Sequence, residues 1–137
     1  MPPRSGMGER PVAAPTEKFK TPEEELAYLR DRIKQKEQEL EKTGTIDAER
    51  IAQREVQDYG ATPAATILHE TVVVPPDEAM QKALDLEPET HDTQIDQLLK
   101  MVATHGIRNA LSVVQRMNNP HLEEDMHRAL VRYIAQK

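Results

Sequence analysis

Residues 106–135, GIRNALSVVQRMNNPHLEEDMHRALVRYIA, carry the pattern that decides the fold class. Ile107, Ala110, Leu111 and Val114 recur at i, i+3, i+4 and i+7, the period of a helix with one apolar face. Val113 and Met117 flank that face. The run breaks at Asn118-Asn119-Pro120. Asn119 is a suitable N-cap, and Pro120 fits the first helical position, where its missing N–H would be unbonded anyway. Leu122, Met126, Ala129, Leu130, Tyr133 and Ile134 then mark a second amphipathic helix. This helix has a start signal but no glycine or proline stop, so the sequence predicts one that is still running at the last residue.

Immediately upstream, Ile95, Leu98, Leu99 and Val102 predict another helix, with Asp92 as its cap and Gly106 as its end. Residues 92–137 thus read as a three-helix module. Roughly 45 residues bury too little apolar area for comfortable independence, so the module is expected to be marginal or to dock on another surface.

Residues 21–60 read as a charged helical hairpin. Thr21, Pro22 and Glu24 form an N-terminal capping signal, and Glu23, Glu24 and Glu25 suit the positive end of a helix. This helix is predicted to reach about Thr43, with Gly44 beyond its end. Leu26, Leu29, Ile33 and Leu40 make a narrow apolar stripe beside Tyr28, with Lys36 where a further seam residue is expected. Asp31–Lys34, Lys34–Glu37, Lys36–Glu39 and Glu39–Lys42 are opposite charges at i,i+3, each adding ~0.2–0.5 kcal/mol of helicity. The stripe reads either as a solvated helix's sticky edge or as a short coiled-coil seam for a partner helix. A second helix is predicted over 46–59, capped by Thr45 and ended by Gly60, with Ala48, Ile51, Ala52, Val56 and Tyr59 on one face.

Two stretches stand apart from these. Residues 1–20, rich in proline, glycine and charge, are predicted to be disordered. Residues 61–91 read as a proline-containing linker with a short helix over 77–86. Within it, TILHETVVV (66–74) is the one strand candidate, either irregular linker or a strand added to a partner's sheet edge.

Composition narrows the function. The chain has 137 residues, no Trp and a single Phe, so a large aromatic core is excluded. Without Cys there are no disulfides, thiolate metal sites or cysteine nucleophiles. No apolar run is long enough to span a membrane, the first residues lack a secretory apolar region, and a cytoplasmic location is expected. The net charge of −6 is uneven: residues 1–91 hold 19 acidic and 12 basic side chains, residues 92–137 hold 5 and 6. That balance works against nucleic acid and anionic membranes as partners.

Catalytic motifs are missing. Ser5 and Ser112 are the only serines and neither lies in a nucleophile elbow; the five glycines form no phosphate-binding loop. Glu124 and His127 have the i,i+3 spacing of di-iron carboxylate helices, with His121 and Asp125 nearby. However, Glu124 points away from the apolar face and no second helix repeats the motif, so a solvated charged face is the reading. Residues 93–117 also admit a helix–turn–helix, in which Arg108, Asn109, Ser112, Gln115 and Arg116 would meet base edges. The module's near-neutral charge weakens that alternative.

Three stretches, TPEEELAYLRDRIKQKEQELE (21–41), EVQDYGATPAATILHE (55–70) and the opening 106–135 segment, together resemble the N-terminal region of large proteins of candidate-phylum bacteria. Those proteins carry, far downstream, an ATPase domain like that of type IV secretion coupling proteins. The resemblance covers most of the chain from about residue 16. It implies a front piece of a longer protein, and would account for a helix still running at the last residue. The family's ATP-binding motif has no counterpart here, so no ATPase activity is implied.

The expectation is therefore an all-α, non-enzymatic accessory or protein-interaction region without cofactors. It would bind a protein partner, or a second copy of itself, through helices along Leu26, Leu29, Ile33 and Leu40. The alternative is a weak DNA-binding helix–turn–helix protein.

Overall fold

The computed structural model describes residues 18–42, 44 and 47–136. Among them are seven helices and no strand: α1 (Pro22–Glu41), α2 (Ala48–Ala61), α3 (Ala64–Ile67), α4 (Pro76–Leu86), α5 (His91–His105), α6 (Ile107–Arg116) and α7 (Pro120–Ala135). The fold is all-α. The tail predicted over 1–20 lies outside the described residues except for 18–20, as do the expected helix end at Thr43 and cap at Thr45.

Local signals explain most helix starts. Thr21 Oγ1 accepts from the Glu24 N–H (3.2 Å), with Pro22 in the first turn of α1. Asn119 Oδ1 accepts from the Leu122 N–H (3.1 Å) to open α7, as its sequence predicts. Two caps differ from expectation. Asp47 opens α2 by accepting from the Arg50 N–H (3.2 Å). Thr90, not Asp92, opens α5 by accepting from the Thr93 N–H (3.2 Å). Each is the residue whose extended backbone aims its side chain at the first free N–H groups.

Gly60 does not end α2. The helix continues to Ala61 and stops at Thr62, whose extended backbone is the conformation favoured before Pro63. Instead, Gly60 lets α2 approach α6: a Cβ there would lie 3.3 Å from Leu111 Cδ1.

The centre of the molecule is α6, which touches each of the other six helices. Seven of its ten residues are buried: Ile107, Arg108, Asn109, Ala110, Leu111, Val113 and Val114. One apolar cluster runs from Leu29 in α1 through Val56, Ile67, Ala79, Leu98 and Leu111 to Ile134 in α7. Hairpin, linker and three-helix module thus share a single core. The C-terminal helices dock on α1, α2 and α4.

The strand candidate takes another form. Residues 64–67 make one helical turn, a turn closes from the Val72 N–H to the His69 carbonyl (2.9 Å), and Leu68 and Val74 are buried. Its pairing is a single parallel bridge, Phe19 with Leu68, built from Phe19 N–H to Ile67 O and His69 N–H to Phe19 O, both 2.8 Å. Ile67 and Val74 are buried and Val72 and Val73 half-buried, whereas Thr66 and Thr71 are exposed, and residues 66–74 form no ladder beyond that bridge.

Candidate functional site

Polar side chains of α1 reach three other helices, and they define the chemistry of the interior. Glu25 is 1% exposed. Its carboxylate accepts from the Tyr59 hydroxyl of α2 and from the Arg108 N–H at the start of α6, both at 2.8 Å. Helix α6 begins at Gly106 with no side-chain cap of its own. Glu25 therefore serves as its N-cap from a distant helix, a negative group at the positive end of α6. Burial pushes the Glu25 carboxyl above its ordinary value, and the hydrogen bonds from Arg108 and Tyr59 partly offset this. Burial, then the facing carboxylate, pushes the Tyr59 hydroxyl up as well.

Gly106 makes this cap possible. Its φ of +96° is the left-handed region that favours glycine, and a Cβ there would fall 1.9 Å from Glu25 Oε2. The same glycine ends α5 and starts α6.

The other α1 contacts act at helix ends and sides. Arg30 Nε donates to the Ile134 carbonyl (2.7 Å), and its Nη2 donates to the Gln136 carbonyl. Arg30 of α1 thus meets the last carbonyls of α7, where the helix ends at Ala135 and Gln136 is extended. A cation on the last carbonyls also opposes the negative end of the helix. Arg32 Nε pairs with the buried Glu55 of α2 at 2.6 Å.

Four of the five residues read as base-contacting are buried or half-buried in this arrangement. On α6, Arg108 is 6% and Asn109 1% exposed. Arg108 Nε donates to the Thr62 carbonyl (2.8 Å) and its Nη1 to Ser112 Oγ (2.9 Å). Asn109 Oδ1 accepts from the Val74 N–H (2.9 Å), while its Nδ2 donates to the Val72 and His105 carbonyls (2.8 Å each). Gln115 Nε2 donates to the Gly60 carbonyl (2.8 Å). Of the five residues read as base-contacting, Arg116 alone is exposed. The helix that would have entered a groove of DNA is the central helix of the core, which is why its polar residues are spent on the backbone of its neighbours.

The α1 stripe also divides. Leu29 is 1% exposed and belongs to the core, and Leu26 and Ile33 are partly buried against it. Leu40 is 40% exposed. No residue of α1 after Leu29 is buried. Of the stripe, Leu40 is the residue that stands clear of the core.

Beside Ile33 lies an open groove of ≈ 720 Å³ between α1, α2 and the end of α7. Ile33, Ala48, Ala52, Val131 and Ile134 supply its apolar lining, and Lys34, Glu37 and Glu49 its charged rim. The sequence could not reveal it, because its walls come from segments some eighty residues apart that meet only in the folded chain.

The histidines are also regrouped. His91 Nε2 lies 2.8 Å and His121 Nε2 3.6 Å from Asp125 Oδ2, tying the starts of α5 and α7 together. Glu124 pairs with Arg128 at 3.3 Å on the solvent side, and His127, partly buried, is pushed below its ordinary value by that burial. Among the described residues, no group of three or more His, Asp and Glu side chains is arranged to hold a metal ion. No described helix is long and apolar enough to cross a membrane. No family model, curated protein or solved structure matches this chain.

Proposed function

We propose that this chain is a non-enzymatic, cytoplasmic protein-interaction module that receives an apolar helical surface in the groove between α1, α2 and α7. The observation that carries this reading is the contrast between the groove and the polar interior. Ile33, Ala52, Val131 and Ile134 line a concavity open among the described residues. Glu25, Tyr59, Arg108 and Asn109 are instead buried and hydrogen-bonded to one another or to backbone. A reacting group must reach its substrate, and these are closed off from one. An apolar groove with a mixed-charge rim is the ordinary shape of a helix-receiving site.

The test places a photoactivatable benzophenone side chain at exposed, groove-lining Ala48 and irradiates the protein in its own cells. A discrete protein adduct at Ala48, absent when the label sits at exposed Arg128, is the expected result. Equal or no labelling at the two positions overturns the reading.

A further inference from the structure

A face of α4, outside the groove, is also apolar and open. Met80 is 40% and Leu84 51% exposed, one turn apart on the same side of the helix. Ala79, Ala83 and Leu86 bury another side of it, and the helix packs on α6. Asp77 stands one turn before Met80, and Glu87 one turn after Leu84. Asp77, Met80, Leu84 and Glu87 therefore form one stripe, about 15 Å long, with an apolar pair in the middle and a carboxylate at each end. None of the four lines the groove between α1, α2 and α7.

Charge indicates what covers this face. Seven of the chain's 24 acidic side chains and one of its 18 basic ones lie in residues 77–96. The rest of the chain is balanced, so this stretch carries the whole net charge of −6. All seven acids are exposed. Glu78 meets Lys82 at 3.9 Å and Asp96 meets Lys100 at 3.3 Å, and the other five have no ion pair among the described residues. The helix accounts for only part of this pattern. Asp77 and Glu78 suit the positive end of α4, but Asp85 and Glu87 stand at its negative end, where its last turn holds no basic residue. A lone exposed apolar residue is ordinary, whereas an apolar pair rimmed by unpaired charge of one sign gains from being covered by the opposite sign.

We infer that α4 is a second docking surface, which takes a basic amphipathic helix of a different protein. Met80 and Leu84 pack against two apolar side chains three or four residues apart on that helix. Lysine or arginine one turn beyond each meets Asp77 and Glu87, and the cation at Glu87 also opposes the negative end of α4. The unbranched thioether of Met80 adapts to the shape of the incoming side chain. A second copy of this chain is the wrong occupant, because no stretch of up to twenty residues in it has a positive excess above three. Exposed ion pairs contribute little each, so charge selects the partner and speeds its encounter, while the apolar pair supplies the affinity.

Amide NMR shifts of the isotope-labelled full chain, titrated with a synthetic peptide, test this. The peptide is built of alanine and glutamine, about 15 residues long so that it can form a helix, with two leucines four residues apart and a lysine three residues beyond each. The expected shifts concentrate in residues 77–89, and binding weakens as salt rises. Alanine for the peptide's leucines, or glutamate for its lysines, should weaken binding at least about fivefold. So should Met80→Gln with Leu84→Gln, and Asp77→Asn with Glu87→Gln, in the protein. Glu39→Gln with Asp58→Asn neutralises two exposed carboxylates elsewhere and should leave the affinity that of the parent. All six positions are exposed, so the spectrum outside 77–89 should stay that of the parent in each variant. Shifts centred on Ile33, Ala48 and Val131 would place the peptide in the groove and overturn the inference. Scattered shifts, no binding at millimolar peptide, or affinity indifferent to the leucines or to Met80 and Leu84 overturn it as well. Shifts of 77–89 that depend on protein concentration without peptide make a second copy the occupant, and also overturn it.

Discussion

Truncating Glu25 to alanine tests whether α1 holds the core through its polar residues. The substitution leaves the Tyr59 hydroxyl and the Arg108 N–H without the acceptor each has at 2.8 Å. Tyr59 is 5% exposed and Arg108 6%, so water is a poor substitute. An orphaned buried donor costs about 1–3 kcal/mol, which gives about 2–6 kcal/mol for the pair. Relief from burying a carboxylate returns part of this, because burial is what raises the Glu25 carboxyl above its ordinary value. A net loss of about 2–5 kcal/mol remains, a large share of the roughly 5–15 kcal/mol that holds a typical domain. Urea denaturation followed by circular dichroism measures it. Glu23→Ala, two residues earlier and exposed, serves as the control. Adding Tyr59→Phe to Glu25→Ala removes one of the two orphaned donors, so the double variant should recover about 1–2 kcal/mol of the loss. A Glu25→Ala loss under about 1 kcal/mol, the range of ordinary surface substitutions, would refute the reasoning. Strict additivity with Tyr59→Phe would do the same, since it would mean the two groups do not act on each other.

Three further outcomes follow from the same interior. Because the Glu25 carboxyl is raised on folding, its contribution is fully present below the ordinary value of 4.5 and is lost as pH rises through the folded value. The parent should therefore gain stability relative to Glu25→Gln on acidification from neutral pH, and parallel stability–pH curves would exclude this. Arg30→Ala removes both donors to the Ile134 and Gln136 carbonyls. It should cost about 1–2 kcal/mol and speed amide hydrogen exchange in the last turn of α7 while leaving α6 protected. Asn109→Leu strands the Val74 N–H and the Val72 and His105 carbonyls. A loss of about 2–4 kcal/mol is expected, with proteolysis appearing first around residues 70–74.

What the sequence reveals about this fold is what neighbouring residues decide among themselves. The 3.6-residue periods of 107–114 and 122–134 are helices, Asn119-Pro120 starts α7, and Gly106 separates α5 from α6. Those signals act within one or two turns. The errors share a different cause: a residue whose role is set by a segment far away. Glu25 reads as a helix-dipole residue because its value at the start of α6, 83 positions on, exists only after folding. Arg108 and Asn109 read as an exposed polar face because nothing local says that α6 will be surrounded. The β-branched run of 66–74 leaves strand and irregular linker both open, because burial by turns and burial in a sheet select the same residue types.

The end of α7 also involves a distant segment. Its two terminal carbonyl partners come from Arg30, 104 and 106 residues away. The same logic bears on α1, whose charge-rich sequence reads as a solvated helix with a narrow apolar stripe or as a short coiled-coil seam. Its first half is clamped by Glu25, Leu29, Arg30 and Arg32, each against a different part of the core. Its second half has no buried residue at all. A helix that needed only to stabilise the fold could stop near Ile33. The further two turns, with Leu40 40% exposed, contribute no buried residue to that core.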